Sequence, residues 1–302
     1  MITVLGSINM DLVTVTSKDP LLGETVMGNH FSTIPGGKGA NQAVAAARLG
    51  AEVQLIGRIG DDVFGQQYLV HLKEQGVNTK YVKPVTGEKT GIASITVYKG
   101  DNKIIVVPGA NKCVGPEVVE SHSEDILKSD WLLLQMEIPL QGVEKALEIA
   151  HKGGVKTILN PAPYHEIPKS WIEMATYLTP NEFEANQIFN LYKNDHDNLA
   201  QLKKKIIITK GSEGIVIFEN DEEVVIPAMP VDAIDTTGAG DTFSGALVVG
   251  LSEGKSLKEA CYFAARAASL SVTKLGAQSG MPYRKEVNEF GKTHRDSGGD
   301  IL

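Results

Sequence analysis

Short runs rich in β-branched residues alternate along this chain with longer segments of helical period, and this alternation limits the possible folds more than any other feature. It is typical of a parallel sheet whose strands are joined by crossover helices. Strands are predicted at Ile2–Ile8, Val53–Ile59, Trp131–Met136, Thr157–Asn160, Tyr177–Thr179 and Ile206–Lys210. Helices are predicted at Asn41–Leu49, Val63–Gln75, Gly142–His151, Glu182–Leu191, Ala239–Leu251 and Leu257–Leu275. We therefore expect one α/β domain, residues 1–302, with a doubly wound, mostly parallel central sheet and flanking helices.

Two segments, residues 12–33 and 91–107, lack helical period. In the second, Ala93, Ile95 and Val97 fall on one face of a strand and polar residues on the other. The pattern predicts antiparallel strands of a small separate sheet. This β-sheet would act as a lid over the carboxyl ends of the main strands, where such folds bind ligands. The alternative is that these strands extend the main sheet.

Composition and charge exclude several classes of protein. The chain of 302 residues has a net charge of −8 and no dense Lys/Arg block, so we expect no nucleic-acid partner. The N-terminal segment lacks the features of a signal peptide or a membrane span. Cys113 and Cys261 have no metal-ligand spacing and suit a reducing compartment, so a cytoplasmic location is expected. The tail, residues 294–302, is predicted to be disordered.

The stretch DTTGAGDTFSGA, residues 235–246, carries two carboxylates around a run of small residues. Its bend at residues 238–240 precedes a predicted helix, so that unpaired N–H groups converge and attract an anion such as a phosphoryl group. Asp241, in the first turn, would be repelled by that anion unless it acts on it. The alternative is an ordinary stabilising charge at a helix start. Asp235 precedes the helix between residues that suit a hard cation.

A second glycine-rich loop, PGGKGANQA, covers residues 35–43. Its glycines allow positive φ and close approach of the backbone to a ligand, while Lys38, Asn41 and Gln42 add donors. Asn41 is a candidate N-cap of the following helix. The loop is not a P-loop, because the Gly-x4-Gly-Lys-[Ser/Thr] spacing is absent. A tight turn with a helix cap is the alternative explanation of the loop taken alone.

Two further motifs follow apolar strands. In TPNEFE, residues 179–184, Asn181 and Glu184 have the spacing of a capping box, and alternatively they hold a hydrated Mg²⁺ near phosphates. In TKGSEG, residues 209–214, a glycine turn predicts either a hairpin or the edge of a nucleotide site.

Taken in order, these motifs show that the chain resembles the ribokinase-like family of ATP-dependent carbohydrate and nucleoside kinases over nearly its full length. The motifs are GSINMD (6–11), PGGKGANQA (35–43), QMEIP (135–139), NPAP (160–163), TPNEFE (179–184), TKGSEG (209–214) and DTTGAGDTF (235–243). The resemblance implies ATP-dependent phosphorylation of D-ribose at the 5-hydroxyl, which gives D-ribose 5-phosphate and ADP. A kinase for 2-deoxyribose or another pentose or nucleoside is the alternative.

The resemblance also implies residue roles. The sugar would be bound by Asn9, Asp11, Gly37, Lys38, Gly39, Asn41 and Glu137, with Ala93 and Ile95 pressing on it. Asp241 would be the general base. The anion hole would consist of the backbone N–H groups of Gly238, Ala239, Gly240 and Asp241.

For the nucleotide and its ions, the resemblance implies three groups of residues. Asn181 and Glu184 would lie near Mg²⁺ and its waters. The nucleotide would lie beside Thr209, Lys210, Gly211, Ser212, Glu213, Gly214 and Gly240. A K⁺ site would comprise Asp235, Thr237, Ser271, Lys274, Gly276 and Gly280, although the family has a serine where Gly280 stands. In the family the lid strands also form a homodimer.

Two hypotheses from other classes compete with this interpretation. A non-catalytic sugar or nucleotide sensor would need no proton acceptor, so the retained Asp241 speaks against it. An NAD-dependent oxidoreductase is disfavoured because no Gly-x-Gly-x-x-Gly follows the first strand.

Overall fold

The order of elements follows the predicted alternation of strands and helices. The computed structural model describes residues 1–193 and 195–295. The strands are β1 (Ile2–Leu5), β2 (Asn9–Thr16), β3 (Gly28–Gly36), β4 (Val53–Gly60), β5 (Asn78–Val85), β6 (Gly91–Tyr98), β7 (Asp101–Val107), β8 (Trp131–Leu134), β9 (Lys156–Leu159), β10 (Tyr177–Leu178), β11 (Ile208–Thr209), β12 (Ile215–Glu219) and β13 (Glu222–Ile226). The helices are α1 (Lys38–Arg48), α2 (Val63–Glu74), α3 (Pro116–Ser121), α4 (Ser123–Leu127), α5 (Leu140–Gly153), α6 (Lys169–Met174), α7 (Glu182–Leu191), α8 (His196–Lys203), α9 (Ala239–Ser252), α10 (Leu257–Ser271), α11 (Ala277–Gly280) and α12 (Arg284–Arg295).

The central sheet has six strands in the order β10-β9-β8-β1-β4-β5, and every neighbouring pair is parallel. All residues of β1 and β8 are buried, which explains their continuous apolar runs. One hydrophobic core includes Val44 of α1 and Leu247 of α9, and a second includes Leu147 of α5. Helices therefore cover both faces of the sheet, and the predicted doubly wound fold is confirmed.

A three-stranded antiparallel sheet, β11-β12-β13, continues from the β10 edge of the central sheet. Leu178 pairs with Ile206 and Asn181 with Thr209 in parallel bridges that join the two sheets. The TKGSEG motif forms the tight turn between β11 and β12, so the hairpin expected as one of its two readings is present.

The two segments without helical period form a separate sheet in the order β3-β2-β6-β7, so the alternative that they extend the main sheet is wrong. The prediction of antiparallel strands is only partly correct. The β2–β3 and β6–β7 pairs are antiparallel, but β2 and β6 are parallel because the long connection through α1 and β4 returns the chain in the same direction. In this register Asp11 lies beside Ala93, and Val13 beside Ile95.

Several helix limits differ from the predictions. Helix α1 begins at Lys38, with Gly37 as its N-cap at φ 86°, so Asn41 lies inside the helix and is not a cap. Helix α10 ends at Ser271 rather than Leu275, because the Val272 carbonyl instead accepts from the N–H groups of residues 234 and 235. Helix α12 includes the first two residues of the predicted disordered tail, and residues 296–302 lie outside the described part of the chain.

Candidate active site

Asp241 lies in the first turn of α9, where Gly238 caps the helix in the left-handed conformation at φ 77°. A Cβ at Gly238 would meet Ala277 at 2.8 Å, so glycine is favoured there by both backbone and space. The side chain of Asp241 is only 7% exposed. Its Oδ2 accepts from Asn41 Nδ2 at 2.9 Å and its Oδ1 from Gln42 Nε2 at 3.0 Å. The start of α9 thus meets the PGGKGANQA segment, which the resemblance assigns to the same site.

Four charged groups, Asp11, Lys38, Glu137 and Asp241, form what we call the acidic basin. Burial, together with the charges of Glu137 and Asp241, raises the pKa of Asp11 to about 7. Burial also raises the pKa of Asp241, and this effect outweighs the opposing effects of Lys38, Asn41 and Gln42. Burial alone would lower the pKa of Lys38, but its carboxylate neighbours raise it, so its ammonium stays charged. The basin holds an excess of carboxylates that can accept hydrogen bonds from hydroxyls.

The side chains that line the basin are held by partners from neighbouring loops. Glu137 Oε2 accepts from Ser7 Oγ at 2.5 Å and from the backbone N–H of Lys38 at 3.0 Å. Asn9 Oδ1 accepts from Asn111 Nδ2 at 2.7 Å, which leaves the amide group of Asn9 as its donor. The site is therefore preorganised for a ligand that both donates and accepts.

The glycines of the PGGKGANQA loop bring its backbone against the end of β1. A Cβ at Gly37 would meet the Asn9 nitrogen at 2.6 Å, and one at Gly39 would meet the backbone of Ser7 at 2.5 Å. The loop can reach the basin only because these side chains are absent. Of the predicted sugar-binding residues, Asn9, Asp11, Gly37, Lys38, Gly39, Asn41 and Glu137 are brought together, and β6 places Ala93 beside Asp11 with Ile95 two residues further along.

A cavity of about 400 Å³ lies on the other side of the α9 N-terminus. From the predicted nucleotide site it is lined by Thr209, Gly211, Ser212, Gly214 and Gly240. Lys210 and Glu213 are not among the lining residues, and the Lys210 ammonium instead pairs with Glu182 at 3.4 Å. Apolar residues complete the wall, from the segment 228–233 and from α10. Sequence reasoning missed this wall because residues 228–233 have neither helical nor strand period.

Asn181 and Glu184 form the reciprocal capping box that their spacing predicts. The Glu184 N–H donates to Asn181 Oδ1, and the Asn181 N–H donates to Glu184 Oε2, both at 2.9 Å. Glu184 is only 4% exposed, and burial raises its pKa although Asn181 and Lys38 oppose that shift. The capping box uses only Oε2 of Glu184, so Oε1 does not take part in it. Within residues 1–193 and 195–295, no cluster of three or more His, Cys, Asp or Glu side chains could hold a metal. A single buried carboxylate fits Mg²⁺ that retains its waters and is bound chiefly by phosphates.

Four residues of the predicted K⁺ site lie in loops, Asp235 and Thr237 before α9 and Lys274 and Gly276 between α10 and α11. Ser271 and Gly280 are the last residues of α10 and α11. Asp235 Oδ1 accepts from Thr237 Oγ1 at 2.6 Å, and its Oδ2 accepts from the Gly276 N–H at 2.8 Å. Burial alone would raise the pKa of Asp235, but these hydrogen bonds lower it, so the carboxylate is ionised. A Cβ at Gly280 would meet the Ser271 carbonyl oxygen at 2.0 Å, so a serine would not fit there in this arrangement. Lys274 extends its ammonium to Glu286 at 3.5 Å, which leaves only its carbonyl for a cation.

Fold and site together define an α/β protein in which a helix N-terminus lies between an acidic basin and a cavity of about 400 Å³, the arrangement of a phosphotransferase. The family model described as "pfkB family carbohydrate kinase" matches residues 1–284. The chain belongs to this family of carbohydrate kinases, so the family membership predicted from the motifs is confirmed.

Individual relatives agree with this assignment. The chain is 49% identical over 289 residues to the ribokinase of Bacillus subtilis, covering 96% of this chain and 98% of the relative. It is 36% identical over 299 residues to a deoxyribokinase of Salmonella typhimurium, covering 96% and 98%. The structure of Arabidopsis thaliana ribokinase complexed with ribose and ATP is similar with a TM-score of 0.87 and 34% identity, covering 96% of this chain and 97% of that one.

Proposed function

We propose that this protein transfers the γ-phosphoryl group of ATP to the 5-hydroxyl of D-ribose, giving D-ribose 5-phosphate and ADP. The observation that carries the proposal is the position of Asp241 at the start of α9, where it is buried in the acidic basin and its neighbour Gly240 lines the cavity. The relatives named ribokinase, and the ribose and ATP bound in the Arabidopsis structure, support the choice of substrates.

Asp241 accepts the proton of the 5-hydroxyl while the hydroxyl oxygen attacks the γ-phosphorus. Asn41 and Gln42 orient its carboxylate, and burial raises its pKa toward the range useful for a base. The remaining hydroxyls bind Asp11, Asn9 and their neighbours in the basin. An analogue that lacks one hydroxyl leaves one of these buried groups unpaired.

The N-terminus of α9 stabilises the negative charge on the transferring phosphoryl group. The N–H groups of Gly240 and Asp241 have no carbonyl acceptor within the helix itself. The Ala239 N–H donates to the Thr236 carbonyl at 3.2 Å, so it can donate to the phosphoryl group only if the loop shifts. Mg²⁺ bound with ATP would neutralise phosphate charge, with Asn181 and Glu184 holding its waters. Asp235, the carbonyls of its neighbours and Gly276 would hold K⁺ and so keep this bend in place.

A coupled ADP-release assay with a panel of pentoses tests this proposal. We expect turnover on D-ribose at saturating ATP and Mg²⁺, and faster turnover with KCl than with the same concentration of tetramethylammonium chloride. Deoxyribose should be a poorer substrate by roughly 10-fold or more, because one buried partner is lost. No turnover on ribose together with good turnover on deoxyribose would overturn the choice of sugar. Equal rates in the two salts would contradict only the proposed K⁺ site.

The sheet β3-β2-β6-β7 is the lid in this proposal, and it also forms a homodimer. Strand β7 is exposed along its length, including four consecutive apolar residues, Ile104 to Val107, with Ile105 69% exposed. An exposed apolar edge strand of this kind is normally covered by a partner.

No helix of the described residues is long and apolar enough to cross a membrane. We also place the protein in the cytoplasm, where two free cysteines remain reduced.

The Ile105→Lys variant tests the dimer, because it introduces a charge into the proposed contact. Light scattering after size-exclusion chromatography should give the mass of two chains for the wild type and of one chain for Ile105→Lys. Val225→Lys is the matched control, since Val225 is also an exposed strand residue, at 57%, but lies on β13. A monomeric wild type, or a dimer unaffected by Ile105→Lys, would contradict the proposal.

A further inference from the structure

The carboxamide of Gln278 occupies a buried junction between the α11 segment and the active site. Its side chain is only 2% exposed. Gln278 Nε2 donates to Asn41 Oδ1 at 2.9 Å and to Tyr68 Oη at 2.8 Å, and Gln278 Oε1 contacts His71 Nε2 at 2.7 Å. Asn41 in turn donates to the carboxylate of Asp241. A continuous chain of hydrogen bonds therefore connects His71 to Asp241.

The carboxylate determines the direction of every hydrogen bond in this chain. Because an ionised carboxylate only accepts, Asn41 must turn its amide nitrogen toward Asp241 and its oxygen toward Gln278. Gln278 must then turn its own nitrogen toward Asn41 and its oxygen toward His71. His71 consequently carries its proton on Nε2. Reversal of any one amide would place two acceptors, or two donors, against each other.

Tyr68 completes the network without changing its direction. Its hydroxyl donates to the Gly36 carbonyl at 2.5 Å and so accepts the second N–H of Gln278. Burial, with smaller effects from Asp11 and Asp241, raises the pKa of Tyr68 well above its ordinary value, so the hydroxyl stays protonated. Each donor and acceptor of the Gln278 carboxamide thus has one partner, as a rigid buried network requires.

The same segment is anchored to the loop that precedes α9. The N–H of Gly276, two residues before Gln278, donates to Asp235. Arg48 donates to the carbonyls of Gln278 and Met281, the latter at 2.8 Å. The backbone and the side chain of Gln278 are therefore both held in place. Because Gln278 is fixed, its hydrogen bond can fix the orientation of Asn41.

We propose that Gln278 is a positioning residue for the kinase reaction, which holds Asn41, and through it one oxygen of Asp241, in the orientation needed to accept the hydroxyl proton. This inference rests on the proposed function. The other oxygen of Asp241 is held by a second amide chain, in which Gln135 Nε2 donates to Gln42 Oε1 at 2.5 Å. The base is thus oriented from two sides, and Gln278 is the link that joins one side to the Asp235–Gly276 contact.

Two substitutions separate positioning from packing. Gln278→Met keeps the length of the side chain and removes its polar atoms, and we expect kcat/KM for ribose to fall about 10-fold. Gln278→Glu keeps the shape but can only accept, so it opposes the oxygen of Asn41 and should lower kcat/KM several times further. Gln75→Met is the control, because Gln75 accepts from Arg48 Nε at 2.8 Å beside the same segment but lies outside the chain. It should remain near the wild-type value.

The pH dependence of the rate distinguishes positioning from packing, because loss of packing alone would not change the pKa of the base. The hydrogen bond from Asn41 favours the ionised form of Asp241. In Gln278→Met, Asn41 loses its own partner and can turn away, which raises the pKa of the base. The acidic limb of kcat, measured at saturating ribose so that the titration of Asp11 in the free enzyme does not contribute, should therefore move to higher pH, with Lys38, Glu137 and Asp11 still facing Asp241 as before. An unchanged limb, or a Gln278→Met rate equal to that of Gln75→Met, would overturn the proposal.

A measurement without turnover keeps this inference separate from the proposed function. In ¹⁵N NMR spectra of the wild type, assigned with His71→Asn, neutral His71 should carry its proton on Nε2. A proton on Nδ1 would overturn the hydrogen-bond chain even if ribose is phosphorylated. If ribose is not phosphorylated, the proposed function fails, and the Nε2–H tautomer would still support the chain.

Discussion

Asp241→Asn is expected to lower kcat for ribose phosphorylation by about three to four orders of magnitude while ATP affinity changes little. Asparagine retains the shape of the side chain, and its one oxygen can accept from Asn41 or from Gln42 but not from both. It cannot accept the 5-hydroxyl proton. Single-turnover kinetics should show that the chemical step has slowed. Calorimetric titration with a non-hydrolysable ATP analogue should show that the nucleotide still binds.

The control for this experiment is Asp197→Asn. Asp197 is also an acid in the first turn of a helix, but it is exposed on α8. If Asp241 were only an ordinary first-turn charge, the two variants would have similar rates and similar small losses of stability. A rate for Asp241→Asn within 10-fold of the wild type would exclude it as the base.

Asp11→Asn is expected to stabilise the free protein at pH 8 and to weaken ribose binding by about 100-fold. The folded protein holds the pKa of Asp11 at about 7, against an ordinary value of 3.8, because burial and two nearby carboxylates disfavour its charge. In the unfolded chain Asp11 ionises near the lower value, so below that pH its carboxyl is protonated in both states and costs the folded protein no stability. The free energy of unfolding then declines as pH rises toward 7, by up to about 4 kcal/mol.

Thermal unfolding at two pH values tests the sign of this effect. Asp11→Asn should melt about 6 °C above the wild type at pH 8 and close to it at pH 4. Asp101→Asn, the same change of charge on exposed β7, should show no such difference between the two pH values. A melting difference for Asp11→Asn that is the same at both pH values would contradict the linkage.

Ribose binding should show the complementary behaviour. Sugar hydroxyls donate to the ionised carboxylate of Asp11, so wild-type affinity should rise as pH increases through about 7. Asp11→Asn should remove this dependence and leave a uniformly weak site. The residue would thus trade stability of the free protein for recognition of its ligand.

Much of the active site could be predicted from local sequence. The GAGD bend indicates a helix N-terminus because small residues followed by an apolar period are typical of one, and the structure places α9 there. The capping box of Asn181 and Glu184 has the spacing that predicted it. The start of α1 was misplaced, because Asn41 has the chemistry of a cap while the cap is Gly37, whose positive φ serves the close approach to Asn9.

Other parts of the site had no local signal. Asn111, Ser7 and Gln278 are hydrogen-bonded to site residues, namely Asn9, Glu137 and Asn41 in that order. Each of the three is nevertheless an ordinary polar residue in its own segment. Their only distinguishing features are burial and partners far along the chain. The parallel pairing of β2 with β6 was missed for a similar reason, since alternation of apolar residues is the same in parallel and antiparallel strands.

By itself the sequence determined the doubly wound sheet, the helix N-terminus proposed to receive the phosphoryl group and the acid in its first turn, because periodicity and capping act over a few neighbouring residues. Only the tertiary structure decided which side chains hold that acid. Asn41 lies 200 positions from Asp241 and 237 from Gln278, and packing of α1, α9 and α11 brings them within hydrogen-bond distance. The direction of those bonds then follows from a single carboxylate that can only accept.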